Sequence, residues 1–309
     1  MKLFDAEAVR KGLGWPDLIA ALKAMFAAGC ETPPRPHYTV PGGTLLLMPA
    51  WSAGGHIGVK IVNVFPGNAD KGLPAVSSAY MLSDGATGAM IAQIDGGELT
   101  SRRTAAASVL AATFLARPAS TVLTVFGTGR VATNLIDAYC ATFPIAQVRI
   151  VGRDAARTRA FAADHARPEV AFTAFTDAAE AVSGADIVAA ATLSTRPLIP
   201  GAALSPGAHV DLVGGFRPDM READDAVFAR AALVAVDTRE GALAEAGDII
   251  QPLASGALSE AKIAADLFDL CRGTRPGRTD PAAITVFKSV GASLEDLAAA
   301  SLLARSAGL

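Results

Sequence analysis

The stretch Thr121-Val122-Leu123-Thr124-Val125-Phe126-Gly127-Thr128-Gly129-Arg130-Val131-Ala132 decides how this chain is read. Its first six residues are mostly apolar and rich in β-branched side chains, which predicts a buried strand. The glycines predict a tight turn, and Val131 to Phe143 then reads as a helix. In this GxGxxA pattern the first glycine permits the turn and the second lets the backbone approach a pyrophosphate. The small Ala132 allows close packing of helix on strand. Amides at the helix N-terminus, from Thr128 to Val131, would hold the phosphates. Taken alone, so short a motif equally describes a plain glycine turn, and its surroundings decide between the two.

Downstream, strand-like and helix-like segments alternate. Gln147–Val151, Val170–Phe175, Ile187–Ala191, His209–Val213 and Leu233–Val236 read as strands; Ala155–Ala166 and Ala178–Ser183 read as helices. This rhythm predicts an α/β fold, a Rossmann doubly wound parallel sheet covered by helices, over 119–285. Upstream the pattern differs. Asp5 to Gly29 has helical spacing, with Pro16-Asp17 near a helix start, whereas residues 38 to 99 alternate short apolar runs with Gly, Pro, Asn and Asp turn signals, as antiparallel strands do. Thr100 to Ala116 is an Ala-rich helical stretch, and Ser289 to Leu303 is helical again. Residues 1–118 with 286–309 are therefore expected to form a second, α+β antiparallel domain.

Composition narrows the function classes. Hydrophobic residues are 51% and charged residues 18% of the 309, at a mean hydropathy of +0.36. Much of that apolar content is Ala, and no run reaches the ~20 apolar residues that span a bilayer. A net charge of −3 without a basic stripe argues against nucleic acid as a partner. Cys30, Cys140 and Cys271 form no CxxC pair, and the four histidines are scattered, so no metal site is expected. Reduced core thiols and a Met1–Arg10 segment unlike a signal peptide predict a cytoplasmic protein.

The end of the second predicted strand reports on the cofactor. NAD sites place Asp or Glu there to bind the ribose hydroxyls. Here the segment is Val151-Gly152-Arg153-Asp154. Gly152 leaves room and Arg153 offers a guanidinium to a 2′-phosphate, so NADP(H) is preferred. Asp154 keeps NAD(H) as a second possibility. Two other charges stand out: Lys60, within Ile57-Gly58-Val59-Lys60, and Arg102-Arg103 opening the Ala-rich helix. They could converge on a carboxylate, although each alone reads as a surface charge.

Leu46-Leu47-Met48-Pro49, Gly58-Val59-Lys60, Gly72-Leu73-Pro74 and Leu82-Ser83-Asp84-Gly85-Ala86-Thr87-Gly88 follow one another along the chain. They continue with Leu99-Thr100-Ser101-Arg102-Arg103-Thr104-Ala105-Ala106, Gly127-Thr128-Gly129, Ala191-Thr192-Leu193-Ser194 and Phe287-Lys288-Ser289-Val290-Gly291. In this order, over nearly the whole chain, they resemble the ornithine cyclodeaminase/mu-crystallin superfamily. The resemblance implies a homodimer, each chain having a Rossmann domain and a substrate and dimerisation domain built from both chain ends. It implies that Lys60 and Arg103 hold a substrate carboxylate, helped by Arg35 of Pro34-Arg35-Pro36. It also implies that Thr192 and Ser289-Val290 contact the nicotinamide half or the substrate, with Arg103, Thr104, Arg130, Val131 and Leu193 among the cofactor contacts.

Two departures place the chain within that superfamily. Ornithine cyclodeaminases carry a proton-shuttling acid after a Gly-Gly pair; here Gly214-Gly215 is followed by Phe216, which cannot move a proton. They also carry a Glu before Leu-Met-Pro, where Leu46 stands here. The segment Arg217-Pro218-Asp219-Met220-Arg221-Glu222 is similar to that of the ketimine reductases, which reduce cyclic imines bearing a carboxylate, such as Δ1-pyrroline-2-carboxylate or Δ1-piperideine-2-carboxylate. Leu46 and Phe216 then form an apolar wall suited to the ring, unless Phe216 is a core aromatic. The expected reaction delivers hydride from NAD(P)H to C2, giving L-proline or L-pipecolate. Lys60 and a bound water are the candidate proton sources. Rival expectations are an alanine-type amino-acid dehydrogenase, a cyclodeaminase, and a non-catalytic NADPH or small-ligand binder of the crystallin kind.

Overall fold

In a computed structural model of the chain, residues 1–309 are described, apart from the side chains at 69 and 70. The chain divides into two compact units, Met1–Thr104 with Ala292–Leu309, and Ala105–Gly291.

The first unit opens with strand β1 (Lys2–Phe4) and helices α1 (Ala6–Gly12) and α2 (Trp15–Ala28). The sequence gives Asp5 to Gly29 helical spacing with a helix start near Pro16-Asp17, and the structure divides the stretch there. It breaks because Leu13 caps α1 and Gly14, extended, starts α2 with Pro16 in its first turn, where a missing N–H costs nothing. Strands β2 (His37–Val40), β3 (Gly43–Trp51), β4 (His56–Val64), β5 (Val76–Asp84) and β6 (Met90–Asp95) follow. They form a six-stranded sheet in the order β1-β6-β5-β4-β3-β2. The expected antiparallel pattern holds from β2 to β6, but β1 joins the edge in parallel, Leu3 opposite Gln93. Helix α3 (Gly96–Leu115) starts four residues earlier than the Ala-rich stretch, because Asp95 accepts from the Glu98 amide at 2.7 Å and caps it.

One face of this sheet is buried in strict alternation: Met48 and Ala50 on β3, Gly58 and Lys60 on β4, Tyr80 and Leu82 on β5. The C-terminal helix (Ser293–Ser306) and α2 pack together, and the C-terminal helix lies on β3 and β4. Burying that face fixes the strand register, since a one-residue slip would send Lys60 to the other side.

In the second unit β7 (Val122–Phe126), β8 (Gln147–Val151), β9 (Ala171–Phe175), β10 (Ile187–Ala190), β11 (His209–Leu212), β12 (Ala231–Val236), β13 (Ile263–Asp266) and β14 (Ile284–Lys288) are all parallel. Their order is β13-β12-β14-β11-β10-β7-β8-β9. Between them run α4 (Arg130–Thr142), α5 (Ala155–Asp164), α6 (Ala178–Val182), α7 (Asp225–Arg230), α8 (Arg239–Glu245), α9 (Gly247–Ser255) and α10 (Leu267–Arg272); the C-terminal helix is α11. This is the Rossmann doubly wound arrangement. Its near-continuous apolar strands, such as Ile187–Ala190, are buried throughout, as both faces are covered.

The sheet is larger than the six strands legible in the sequence. β14 inserts between β11 and β12, so residues past 285 complete it, and the unit's boundaries fall at Ala105 and Gly291 rather than at 119 and 285. The helix read from Ser289 starts only at Ser293. The reason is Asp237, whose carboxylate accepts from the Val290 and Gly291 amides at 2.7 and 2.6 Å and holds that turn extended. The three cysteines are half-buried rather than core. Among the described residues no helix is long and apolar enough to cross a membrane.

Candidate active site

The buried face of the six-stranded sheet carries the first cluster. Lys60 is 3% and Arg103 5% exposed. Such charges are rarely buried unless paired, and both are paired through α11. Lys60 Nζ lies 2.7 Å from Asp296 Oδ2, and Arg103 Nε donates to Asp296 Oδ1 at 2.9 Å. Arg103 Nη1 donates to Glu295 Oε2 at 2.5 Å. Asp296 thus bridges the two cations. Both acids stand in the first turn of α11, where the helix dipole favours negative charge.

Burial pulls the Lys60 ammonium down to about 8 against the opposing charge of Asp296. For Asp296, burial works towards the neutral form, but Arg103 and Lys60 outweigh it and hold the carboxyl below its usual range. Arg103 is likewise held charged: its burial penalty is overcome by Asp296 and Glu295. Two of the five N–H groups of Arg103 and one of the three of Lys60 meet these acids, and the others suit a carboxylate ligand.

Tyr80 pairs with Lys60 across the strands and is fully buried, its hydroxyl pushed well above the usual range by burial and by Asp296. A Cβ on Gly58 would lie 1.9 Å from that hydroxyl, so the glycine two residues before Lys60 is what admits the tyrosine ring. Leu46 is half-buried, opposite Val62 and on the same face as Lys60. Arg35, half-buried, lies just before Pro36, whose carbonyl accepts from the Leu47 amide at 3.3 Å, so its segment runs beside β3. Thr104 follows Arg103 on α3 and is half-buried.

The second cluster is the glycine loop. Gly127 has φ +115°, and a Cβ there would lie 2.7 Å from the Ala191 carbonyl oxygen, so no side chain fits. Gly129 has nothing within 4 Å of its would-be Cβ and caps α4 with an extended backbone, leaving its helix-terminal amides open. Thr128 and Val131 are half-buried and Arg130 is exposed beside them. A dinucleotide pyrophosphate fits this cradle.

Gly152 has a different physical reason from the one its sequence gives. A Cβ there would meet Thr158 Oγ1 at 2.4 Å and Thr128 Cγ2 at 3.3 Å, so the space is filled by the protein itself. Arg153 is exposed. Asp154 caps α5, accepting from the Arg157 amide at 2.9 Å.

Around the loop, Glu222 accepts from the Thr192 amide and hydroxyl at 2.7 and 2.8 Å and from the Gly214 amide at 2.8 Å. A Cβ on Gly214 would sit 1.9 Å from the Thr192 carbonyl oxygen and one on Gly215 2.9 Å from Asp248 Oδ2, which accounts for the Gly214-Gly215 pair. Burial raises the Glu222 carboxyl, with Lys288 opposing and Asp248 reinforcing. Ser289 is 3% exposed, Val290 half-buried and Leu193 exposed. Phe216 is 46% exposed, which removes the core-aromatic reading.

Sequence reasoning missed Asp296, Glu295 and Glu222. The signal for the first two was present: adjacent acids in Ser293-Leu294-Glu295-Asp296-Leu297 open a helix that is otherwise apolar through Ala300. Buried acids of that kind require cations, and Lys60 and Arg103 were the two cations already singled out.

A glycine-cradled Rossmann sheet, together with a sheet-and-helix unit that buries two cations on one face, defines a dinucleotide-binding protein of the two-unit α/β class. Residues 9–307 match the profile of the ornithine cyclodeaminase/mu-crystallin family, and the chain belongs to that family. It is 41% identical over 294 residues to the Delta(1)-pyrroline-2-carboxylate reductase of Paracoccus denitrificans, covering 95% of this chain and 93% of that one. Its fold superposes on Thermococcus litoralis Delta(1)-pyrroline-2-carboxylate reductase in complex with NADH and L-proline, with a TM-score of 0.92, 30% identity and 99% and 97% coverage. An archaeal alanine dehydrogenase dimer with bound NAD is similar at TM-score 0.91, 28% identity and 99% and 96% coverage.

Proposed function

We propose that this chain is an NAD(P)H-dependent oxidoreductase that reduces a cyclic imine carboxylate, Δ1-pyrroline-2-carboxylate or Δ1-piperideine-2-carboxylate, to L-proline or L-pipecolate. The observation that carries this reading is the pair of buried cations, Lys60 and Arg103, sharing Asp296 on a face that also presents Leu46. Such a pair recognises one carboxylate in a defined orientation. Leu46 and Phe216 stand where diamino-acid enzymes carry acids, so nothing here calls for a second amine. The likeness to two reductases of Δ1-pyrroline-2-carboxylate supports the same substrate.

In this reading Lys60 and Arg103, with Arg35, orient the substrate carboxylate, Lys60 is the residue closest to the chemistry, and Leu46, Phe216 and Val290 serve the ring. Gly127 to Val131 hold the pyrophosphate through backbone amides, with Arg103, Thr104, Thr192, Leu193 and Ser289 as further cofactor contacts. When bound, the reduced nicotinamide supplies the hydride. Glu222 fixes Thr192 through two hydrogen bonds, so that residue arrives in one rotamer.

For the cofactor we favour NADP(H), with NAD(H) accepted. Asp154 at the end of β8 is already engaged as the cap of α5, which draws it away from a ribose hydroxyl. Arg153 beside it is exposed and positive, as a 2′-phosphate requires. We place substrate binding and homodimer formation in the unit built from both chain ends, and the protein in the cytoplasm. The test is oxidation of NADPH followed at its absorbance band with each cyclic imine, and identification of L-proline or L-pipecolate as product. No turnover of either imine, with ammonia released from ornithine or with pyruvate and ammonia consumed instead, would replace this reading with a cyclodeaminase or an alanine-type dehydrogenase.

A further inference from the structure

Lys288 ends β14 and is fully buried, an ammonium that the reductase reading does not use. Its Nζ lies 3.6 Å from Asp248 Oδ2, and neither atom has a hydrogen-bond partner among the described residues. A buried ammonium without hydrogen bonds is costly, so its surroundings have to favour the charge. Besides Asp248, two more fully buried acids, Glu222 and Asp237, act on it. Burial pushes the carboxyls of Glu222 and Asp237 up, and the Lys288 charge opposes that rise in both. Asp211 on β11 feels the same charge. The other cations of the segment 213–223 are engaged elsewhere: Arg217 with Asp219, and Arg221 with Asp225 and the Ala223 carbonyl.

Each of the three acids holds backbone amides. Glu222 takes the amides of Thr192 and Gly214 together with the Thr192 hydroxyl. Asp248 accepts from the Glu222 and Ala223 amides at 2.8 and 3.0 Å. Asp237 accepts from the Val290 and Gly291 amides, and from the Thr238 amide at 2.7 Å. An ionised carboxylate accepts at both oxygens, whereas a protonated one gives up part of that capacity. The loops held through Thr192, Gly214 and Val290 follow β10, β11 and β14, which are neighbours in the sheet, and β7 with its glycine loop comes next in line. Thr192 Cγ2 is 3.5 Å from where a Cβ on Gly127 would sit. In a doubly wound sheet a dinucleotide lies across the carboxyl ends of the strands, where the strand order reverses. Val151 to Asp154, the segment for the adenine ribose, follows β8 on one side of the glycine loop. The three pinned loops lie on its other side, where the nicotinamide half belongs.

We propose that Lys288 is a positioning residue for the nicotinamide half of the cofactor: its buried charge, acting through Asp248, Glu222 and Asp237, fixes the loops at Thr192, Gly214 and Val290 in one arrangement. This rests on the dinucleotide reading above and adds to it a residue that meets no ligand itself. A Cβ on Gly215 would lie 2.9 Å from Asp248 Oδ2 and 3.5 Å from Lys288 Nζ, so the backbone of that loop lies directly against the pair. The ammonium orders the loops from beneath, and their amides and side chains form the surface that a nicotinamide ring meets. The glycine loop and the end of β8 are held by other contacts, among them the Gly127 turn and the Asp154 cap. Loss of the Lys288 charge is therefore felt by one half of the dinucleotide. A merely structural ion pair would weaken the hold on both halves alike.

The test compares Lys288→Met with the unaltered full-length protein by calorimetry. The ligands are NADPH and 2′-phospho-ADP-ribose, which is the same molecule without its nicotinamide, and likewise NADH and ADP-ribose. Lys288→Met should weaken the dinucleotides about tenfold and the fragments less than about twofold, so that the gap between them closes. Equal weakening of dinucleotide and fragment, or no weakening of either, would overturn the proposal. So would an unaltered protein that binds the fragment as tightly as the dinucleotide, since the pinned loops would then hold no nicotinamide. Fragment binding reports whether the variant is folded. If Lys288→Met is not, Glu222→Gln, which turns one acceptor of a backbone N–H into a donor, carries the test with the same expected closing of the gap. Failure of the unaltered protein to bind any of the dinucleotides would refute the dinucleotide reading and this proposal with it. Failure to oxidise NADPH with either imine would refute the imine substrate alone, while the binding comparison still decides the role of Lys288.

Discussion

Asp211 on β11 offers a measurement in which the sign and the size both follow from structure. It is 0% exposed, accepting from Tyr139 Oη at 2.9 Å and from Ser108 Oγ at 3.1 Å. Burial raises its carboxyl from 3.8 to about 7, the two hydrogen bonds opposing and Glu222 reinforcing. A folded-state value above the unfolded one means that the native state binds the proton more tightly. Asp211 therefore contributes stability in full below about pH 4, and that contribution disappears as pH rises to about 7. At ~1.4 kcal/mol per pH unit, the roughly three-unit span corresponds to about 4 kcal/mol. Asp211→Asn keeps the shape and removes the titration. Urea unfolding from pH 4 to 8 should show the variant gaining on the unaltered protein by a few kcal/mol across this window, with equal m-values. Glu222 and Asp237 are raised too, so only the difference between the two proteins isolates Asp211. A difference that stays constant to within ~0.5 kcal/mol over the window would refute the burial argument.

Other perturbations read out the site itself. Arg153→Ala should lower kcat/KM for NADPH about 10- to 100-fold, the ~1.5–3 kcal/mol of a charge-assisted bond, and leave NADH nearly unaffected; an equal loss with both cofactors would exclude a 2′-phosphate role. Lys60→Met should reduce kcat/KM for the imine by a similar factor while NADPH affinity, from fluorescence titration, stays unchanged. Gly58→Ala forces a methyl to 1.9 Å from the Tyr80 hydroxyl and should cost about 1–3 kcal/mol in urea unfolding, the usual range for overpacking; an unchanged midpoint would show that the ring moves freely.

What the sequence made legible was local. The glycine turn, the strand before it and the helix after it are dictated by residues within a dozen positions, and the strand–helix alternation by period alone. What it hid depends on contacts between distant residues. β14 enters the middle of the sheet because of what pairs with it on either side, and nothing in Ile284 to Lys288 says where that is. The α11 start is delayed by Asp237, more than fifty residues upstream. Gly152 looked like room for a ligand because its neighbours in space, Thr158 and Thr128, cannot be inferred from a segment of four residues.

Lys60 and Arg103 show the same divide at the site, with a consequence for chemistry. Read singly, each is a surface charge; read together they could converge on a carboxylate, and the family resemblance implies that role for both. The fold buries both, and burying two cations without partners would be too costly to sustain. The acids that make burial tolerable, Asp296 and Glu295, also set the charge that a ligand meets. This explains why an apolar helix such as α11 carries adjacent acids in its first turn, and why replacing Lys60 alone tests less than replacing its partner. Without Lys60, Asp296 keeps Arg103; without the Asp296 charge, Lys60 loses its acid partner and Arg103 keeps Glu295.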